Sequence, residues 1–334
     1  MNMMRSVELG AHSEVPTLSV VRKKIPVPTR GQVLVKVAVS PLNPADVMFT
    51  QGRYILQKPL PVIPGMVAAG DVVESGGGLA ANYLKGKRVC CASLDEGDGP
   101  WSEYILTDAL RCFPLSSSVS FELGCNLLAN PTTAWALMDI VAQGGHAALV
   151  LNAAAGELGS FVRRIAALRG LPVINIVRTD EQKLSLLRDG CKYVLDSTGP
   201  TFPDQLVQHC NDLQATIALD AVAGEEGVQL MHCLPKGSEI VVYGRLSGQP
   251  LSFDGLEVLA SNGIRISGFS VLDWFERQSI IKKYFVLRQV QTLVVRNNNR
   301  LAQRQVGLSA LVENFAEYSV NTSQGKTLIY PWRS

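Results

Sequence analysis

The residues with the clearest chemical potential form a glycine-containing turn between an apolar stretch and a helical stretch. Gly156 and Gly159 stand in the second and third glycine places of a G-x-G-x-x-G pattern, and Ala154 stands in the first. Gly156 would let backbone amides approach a pyrophosphate, and Gly159 would let the helix pack close to the strand. We count Leu158, in the same turn, among the predicted cofactor contacts. The alternative is an ordinary strand–helix turn that uses small residues for packing.

The next predicted strand carries information about which nicotinamide cofactor would bind. It ends Asn175-Ile176-Val177-Arg178-Thr179, without a carboxylate at its tip. NAD-binding folds usually place Asp or Glu there, whereas the planar guanidinium of Arg178 suits a 2′-phosphate. Lys183 would assist, so the pattern favours NADPH. The alternative is a solvated arginine that pairs with Asp180 or Glu181.

Metal-dependent hydride chemistry has no support in the sequence. The histidines stand at positions 12, 146, 209 and 232, and none has a Cys or carboxylate partner at metal-ligand spacing. The seven cysteines include no C-x-x-C pair and are typical of buried, reduced thiols. Hydride transfer would therefore proceed without a zinc Lewis acid, and a side chain such as tyrosine would supply the proton.

The elements that must position these residues differ between two parts of the chain. The first ~125 residues read as short strands between turns, without regular helices, which predicts a compact antiparallel β domain. Strands and helices then alternate, which predicts a doubly wound parallel sheet. We predict a β-rich domain over residues 1–126, a dinucleotide-binding Rossmann domain over 127–269, and a β-rich return to the first domain over 270–334. The site is expected at the carboxyl ends of the parallel strands.

Composition excludes several classes of protein. The 334 residues include 31 Lys plus Arg and 29 Asp plus Glu, a net charge of +2, which gives no general attraction to nucleic acid or anionic membrane. A hydrophobic fraction of 47% with 18% charged residues excludes disorder, collagen and coiled coil. No run of ~18 apolar residues and no secretory signal are visible. A cytoplasmic location is expected, or a mitochondrial one if a presequence was removed.

Two further segments carry a family resemblance. They are Pro41-Leu42-Asn43-Pro44-Ala45-Asp46 and Asn130-Pro131-Thr132-Thr133-Ala134-Trp135. With the glycine turn, they resemble the medium-chain dehydrogenase/reductase superfamily, in its zinc-free branch of quinone oxidoreductases and 2-enoyl thioester reductases. Zinc-dependent members carry Gly-His-Glu where this chain has Gly65-Met66-Val67. The resemblance implies an α/β fold with a Rossmann domain inserted in a β-rich GroES-like catalytic domain. It also implies a homodimer, formed through strands near residues 239–270.

The resemblance implies a catalytic role for Tyr54. In enoyl thioester reductases, the matching tyrosine lies beside the nicotinamide and is held to donate a proton. Hydride would add to the β-carbon of a conjugated carbonyl, and the acid would deliver a proton to the α-carbon. Quinone reductases often have a tyrosine at this place, where it would only shape the pocket. A loop aromatic packed under Pro59 and Pro61 is the structural alternative.

Other positions match family contacts to the cofactor or line the substrate slot. Asn43 and Thr133 match residues at the nicotinamide or its ribose, although Asn43 could instead form a turn and Thr133 a helix start. The remaining positions implied for the cofactor are Tyr243, Gly244 and Phe269. Trp135 and Trp274 are assigned to the substrate pocket, with packing between the domains as the alternative for Trp135. Glu157 is unusual, because a carboxylate near a pyrophosphate is unfavourable unless it points away.

The sequence therefore favours an NADPH-dependent, metal-free reductase of a C=C bond conjugated to a carbonyl. An enoyl thioester of coenzyme A or acyl carrier protein is the first choice of substrate, and a quinone is the alternative. A non-enzymatic dinucleotide-binding protein is the third hypothesis, because a fold alone does not establish activity. No nucleic-acid or membrane partner is expected.

Overall fold

The computed structural model describes residues 2–296, 303–320 and 326–333, and the chain divides into two units. The first unit combines Met1–Ala129 with Leu287–Ser334, and the second is Asn130–Val286. The sequence predicted that the chain returns to the first unit at residue 270. In the structure, the return lies at Leu287. The reason is that the helix at Val271–Glu276 contacts the helix that opens the second unit.

The described strands and helices have the following bounds in chain order. The strands are β1 (Met3–Ala11), β2 (Thr17–Lys24), β3 (Gln32–Leu42), β4 (Val67–Ser75), β5 (Arg88–Ala92), β6 (Tyr104–Asp108), β7 (Cys112–Pro114), β8 (Ala148–Leu151), β9 (Val173–Val177), β10 (Tyr193–Asp196), β11 (Ala215–Asp220), β12 (Glu239–Val242), β13 (Arg265–Gly268), β14 (Gln303–Val306) and β15 (Lys326–Ile329). The helices are α1 (Pro44–Thr50), α2 (Leu79–Leu84), α3 (Phe121–Gly124), α4 (Asn130–Gln143), α5 (Glu157–Leu168), α6 (Asp180–Arg188), α7 (Phe202–Leu213), α8 (Gly224–Cys233), α9 (Val271–Glu276), α10 (Ile280–Arg296), α11 (Leu308–Glu313) and α12 (Phe315–Val320).

The first unit is built on a mostly antiparallel sheet in the order β14-β15-β3-β4-β5-β7, with β6 also paired to β3. β1 and β2 form a separate antiparallel pair. Alternate residues of β3, namely Val33, Val35 and Val37, are buried in one apolar cluster, as expected for a strand with a period of two. The unit also holds the short helices α1 and α2, which the sequence analysis missed.

The sequence predicted a β-rich C-terminal part. The described residues of this part are instead mainly helical. Its described residues form α9 to α12 and two short strands. The strands β14 and β15 are parallel to each other, and β15 pairs antiparallel with the end of β3. The boundary between the units falls within α10.

The second unit is a six-stranded sheet in the order β10-β9-β8-β11-β12-β13. Every neighbouring pair is parallel, which confirms the predicted doubly wound sheet. The strands are short apolar runs because both faces are covered, and Val150, Ile174, Ala218 and Ile240 share one buried cluster. The order reverses between β8 and β11, so the carboxyl ends of these strands mark the position at which such sheets bind ligands.

The turn from β8 to α5 has the tight geometry that the sequence predicts. Ala153 adopts a positive φ of 46°, and Gly156 is the residue before the first helical turn. A methyl group on Gly159 would lie 2.4 Å from the carbonyl oxygen of Ala154. Only glycine therefore lets α5 approach the end of β8 so closely.

We expect Gly159→Ala to lower the free energy of unfolding by about 1–3 kcal/mol, because the added methyl group overlaps the backbone of Ala154. Urea denaturation followed by circular dichroism measures the change. Gly255→Ala is the matched control, since its methyl group would lie 3.9 Å from its nearest neighbour and its backbone angles are helical. Equal losses in the two variants would contradict the close packing of α5.

Candidate functional site

The carboxyl ends of the six parallel strands gather most of the cofactor positions predicted in the second unit. Asn152 follows β8, Arg178 follows β9, and Asp220 ends β11. Tyr243 and Gly244 follow β12, and Phe269 follows β13. The topology thus brings residues from five strands to one edge of the sheet, as in ligand-binding α/β folds.

The N-terminus of α5 is open to an acceptor. Gly156, the residue before this 12-residue helix, is exposed and has no side chain with which to cap the first turn. The first backbone N–H groups of a helix lack partners within the helix, and the helix dipole makes this end attractive to anions. Ala154 is fully buried, and Leu158 is half-buried on the first turn.

Glu157 is held by a specific partner at this helix start. Its Oε2 accepts a hydrogen bond of 2.6 Å from Nδ2 of Asn130, the first residue of α4. The amide thus directs the carboxylate toward α4. This contact addresses the concern that an unrestrained carboxylate would repel a bound pyrophosphate.

Asn152 and Asp220 form a buried hydrogen-bonded pair between the ends of β8 and β11. Asn152 Nδ2 donates to Asp220 Oδ1 over 2.6 Å, and Asn152 Oδ1 accepts from the backbone N–H of Ala221 over 2.7 Å. Asp220 Oδ1 also accepts from the backbone N–H groups of Val222 and Ala223. These bonds hold the two loops at the reversal point of the sheet.

Arg178 and Lys183 lie at the tip of β9 and on α6. The backbone N–H of Arg178 donates to Oε1 of Gln182, while its guanidinium is exposed. Within residues 2–296, 303–320 and 326–333, no ion pair joins Arg178 to Asp180 or Glu181, so the predicted surface pairing is not formed. Lys183 is half-buried on the first turn of α6, one turn along the chain from Arg178.

The end of β12 approaches the loop after β11 closely. Tyr243 N donates to the carbonyl of Asp220, and a methyl group on Gly244 would lie 2.6 Å from the carbonyl of Ala221. Burial raises the pKa of the Tyr243 phenol, and the charge of Asp220 raises it further. Phe269 N donates to the carbonyl of Val242, which places Phe269 at the same edge.

The other predicted residues of the second unit lie on α4 and α9. Thr133 is half-buried on the first turn of α4. The Trp135 ring lies 5.6 Å from the guanidinium carbon of Arg169, which follows α5. Trp274 on α9 lies under the ammonium of Lys282, and that lysine also binds Asp139 over 2.8 Å. The two tryptophans therefore take part in packing within this unit.

Tyr54 lies in the first unit, in the irregular segment after α1. Its half-buried ring packs against a cluster of Leu9, Phe49 and Val62. Burial raises the pKa of the phenol, and the negative charge of Asp46 raises it further. Among the described residues, no hydrogen-bond partner is found for the Tyr54 hydroxyl. The phenol therefore keeps its proton at neutral pH and is free to donate it.

Asn43 is bound by a residue that the sequence analysis did not select. Nζ of the buried Lys326 donates to Asn43 Oδ1 over 2.6 Å. An ammonium group only donates, so the carbonyl oxygen of the Asn43 amide must face it. The amide nitrogen is thereby turned the other way and can serve as a donor. Lys326 lies on β15, which pairs with the end of β3 just before Asn43.

Asp46 is a fully buried carboxyl at the start of α1. Its Oδ2 accepts from the backbone N–H of Asn43 over 2.7 Å, and its Oδ1 accepts from that of Met66 over 3.0 Å. Burial raises the pKa of Asp46 to about 7, although these two donors and the charges of Lys326 and Lys58 oppose the rise. The carboxyl joins α1 to the segment that carries Met66.

Lys326 and Asp46 are functional candidates that the sequence did not reveal. Lys326 and Asn43 are 283 positions apart, so no local pattern connects them. Asp46 stands at the third helical position after Asn43, a spacing that favours a reciprocal capping arrangement and could have identified it. Among the described residues, no group of three or more His, Cys, Asp or Glu side chains could hold a metal ion.

Known proteins with similar sequences are reductases, and one domain model matches the first unit. Residues 29–117 match the alcohol dehydrogenase GroES-like domain. A mitochondrial enoyl-[acyl-carrier-protein] reductase of Caenorhabditis elegans is 27% identical over 275 residues, covering 80% of this chain and 78% of the relative. A quinone oxidoreductase of Rattus norvegicus is 26% identical over 221 residues, covering 66% of each chain.

A solved structure extends the match to both units. It is a candidate NADPH:quinone reductase from Mesorhizobium loti, with a TM-score of 0.90, 28% identity and 99% coverage of both chains. The chain is thus similar, over both units, to reductases that share the medium-chain dehydrogenase/reductase fold. The relatives and the solved structure in this comparison are enoyl and quinone reductases, so the chain is similar to oxidoreductases of these two kinds. None of the helices in the described residues is long and apolar enough to cross a membrane.

We expect the buried carboxyl of Asp46 to make the protein less stable as the pH rises from 4 to 7. Its pKa in the folded chain is about 7, above the ordinary value of 3.8, so ionisation favours the unfolded chain over this range. The effect is on the order of 4 kcal/mol. Asp46→Asn should therefore show a flatter dependence of the melting temperature on pH, although losing one N–H acceptor lowers its stability at every pH.

The measurement is differential scanning calorimetry of both proteins at pH 4, 5.5 and 7. Glu74→Gln is the matched control, because Glu74 is an exposed carboxyl on β4 of the same unit. Parallel pH profiles for the wild type and Asp46→Asn would show that Asp46 is not the group responsible.

Proposed function

We propose that the chain is an NADPH-dependent reductase of a C=C bond conjugated to a carbonyl, and that its substrate is a trans-2-enoyl thioester. The observation that carries the proposal is the protonated, unpartnered phenol of Tyr54 on the GroES-like unit. The relationship to an enoyl-[acyl-carrier-protein] reductase supports this substrate class.

The second unit fits the proposed cofactor. The start of α5 suits the pyrophosphate, because Gly156 has no side chain that would compete for the first N–H groups of the helix. Arg178 and Lys183 would bind a 2′-phosphate at the tip of β9. Tyr243, Gly244 and Phe269 lie at the same edge, where they would border the nicotinamide part. NADPH, when bound, supplies a hydride.

Asn43 and Thr133 are assigned to the nicotinamide and its ribose. Lys326 fixes the Asn43 amide with its nitrogen turned away from the ammonium, so that Asn43 would donate to a ribose or carboxamide oxygen. Asp46 supports the same turn through the backbone of Asn43. The donor that Asn43 presents is thus set by its neighbours before any ligand binds.

Tyr54 is assigned the proton transfer. Reduction at the β-carbon leaves negative charge on the thioester oxygen and the α-carbon, and the phenol proton then completes a C–H bond at the α-carbon. The raised pKa keeps the phenol protonated at neutral pH, so the acid is ready before each turnover. Trp135 and Trp274 remain proposed residues of the substrate pocket.

Reduction of a quinone is the second candidate. The rat quinone oxidoreductase and the Mesorhizobium loti protein favour it. A quinone takes its protons on oxygen atoms that exchange readily with water, so Tyr54 would then only shape the pocket.

Tyr54→Phe distinguishes the two activities. With crotonyl-CoA and NADPH, we expect the variant to lose at least about 100-fold in kcat, because a positioned general acid contributes on that order. With 1,4-benzoquinone, the variant should keep most of the activity of the wild type. Oxidation of NADPH is followed at 340 nm, with NADH as the comparison cofactor.

The control is Tyr83→Phe, an exposed tyrosine of the same unit on α2. Unchanged turnover of crotonyl-CoA by Tyr54→Phe would remove the assignment of the proton donor. Turnover of benzoquinone alone by the wild type would move the assignment to quinone reductase, and inactivity with both would support the non-enzymatic hypothesis.

A homodimer is the proposed assembly. β13 is an edge strand of the six-stranded sheet, and an unpaired edge is a ready site for pairing with a second copy. Exposed apolar side chains lie before and after it in the chain, namely Leu256, Leu259, Leu272 and Ile280. Sedimentation equilibrium should give about twice the chain mass of 36.1 kDa. A monomer would contradict the assembly and leave the proposed reaction unaffected.

A further inference from the structure

Glu226 brings a carboxylate to the tip of β9 from a distant element. It lies on the first turn of α8, and its Oε2 accepts a hydrogen bond of 3.1 Å from Ser197 Oγ. The same hydroxyl lies 3.3 Å from the carbonyl oxygen of Val177, and Ser197 N donates to that carbonyl over 2.9 Å. Val177 is the last residue of β9, so Ser197 links the carboxylate to the residue that precedes Arg178.

A second group lies near Glu226 at the edge of the sheet. Asn152, at the end of β8, lowers the pKa of the Glu226 carboxyl. Ser197 follows β10, so groups at the ends of the strands on both sides of β9 lie near the carboxylate. The Glu226 side chain is half-buried, and its hydrogen bond with Ser197 restrains it before a ligand binds.

Glu226 and Arg178 thus bring opposite charges to the end of β9 without forming an ion pair. Burial and the charge of Asp220 raise the pKa of Glu226, while Ser197, Arg178 and Asn152 lower it. In the part of the chain that the structure describes, no ion pair joins Glu226 to Arg178. The guanidinium is therefore available to a phosphate, with a carboxylate as its neighbour.

The chemistry of the two groups toward adenosine is opposite. A guanidinium binds a 2′-phosphate through two parallel hydrogen bonds, and a carboxylate accepts from free ribose hydroxyls. A carboxylate close to a phosphate is repelled by it, which weakens binding. The residues at the end of β9 predict only a preference for the 2′-phosphate. Glu226 stands 48 positions after Arg178 in the sequence, so the local pattern does not include it.

We propose that Glu226 is a specificity-determining residue, which opposes the 2′-phosphate beside Arg178 and accepts a ribose hydroxyl when that phosphate is absent. The inference rests on the proposed function, since it concerns the cofactor site assigned there. It assigns to this chain a smaller discrimination between NADPH and NADH than Arg178 alone would give.

The test is equilibrium binding of NADP⁺ and NAD⁺ by isothermal titration calorimetry at pH 8 and low ionic strength. Glu226→Gln keeps the size of the side chain and a carbonyl oxygen for Ser197, and removes the charge. We expect it to bind NADP⁺ about five- to tenfold more tightly than the wild type, and NAD⁺ no more tightly, because removing one like charge near a phosphate is worth about 1 kcal/mol.

Glu225→Gln is the matched control. Glu225 is the exposed neighbour on the same turn of α8, and its replacement changes the net charge equally. It should leave the ratio of the two dissociation constants within about twofold. Glu226→Ala is the second variant and should change the ratio in the same direction as Glu226→Gln, with melting temperatures recorded to show that each protein is folded.

The outcomes separate the inference from the proposed function. A ratio unchanged in both Glu226 variants, with NADP⁺ still bound, would overturn the inference and leave the NADPH-dependent function standing. A wild type that binds neither nucleotide would overturn both. A loss of NADP⁺ affinity in Glu226→Gln would overturn the inference by showing that the carboxylate supports the 2′-phosphate site.

Discussion

The hydrogen bond between Asn152 and Asp220 joins the ends of β8 and β11, the two strands between which the strand order of the sheet reverses. β8 and β11 are the two strands from which the chain proceeds toward opposite edges of the sheet. Their ends carry the loops of the proposed cofactor site, and the buried pair sets the distance between those loops. A buried carboxylate needs donors, and here one amide and two backbone N–H groups share a single oxygen. The positions of the residues around the open start of α5 depend on this arrangement.

The sequence was most informative where structure is local. β9 lies where the sequence predicts the second strand of the Rossmann domain, because a β-branched run between turns has few alternatives, and Gly159 was identified from the spacing of small residues alone. The short α1 was missed, since seven residues give too little periodicity to separate a helix from a loop. The return at Leu287 was misplaced because α9 packs on α4, a contact between residues far apart in the chain.

The candidate site was predictable only in part, for the same reason. Arg178 could be selected because its place depends on one strand and one turn. Glu226 could not, because it reaches the tip of β9 only after β11 has been laid beside β8. Lys326 could not, because it reaches Asn43 only through the pairing of β15 with β3. Residue types at single positions thus indicated the chemistry. The charged side chains of Glu226 and Lys326 reach the site only through the pairing of strands that are distant in the sequence.

The pairing of β15 with β3 also orders events during synthesis. Residues Ser40 to Leu42, at the end of β3, find their partners in Thr327 to Ile329. While the chain grows, that end of β3 and the adjoining Asn43 have no partner from β15, even after the whole of the second unit has been made. The Rossmann unit is continuous in sequence and can fold as it emerges from the ribosome. The GroES-like unit, which carries Tyr54, is completed only when the last strand arrives, so the surroundings of Asn43 are the last part of the proposed site to form on the nascent chain.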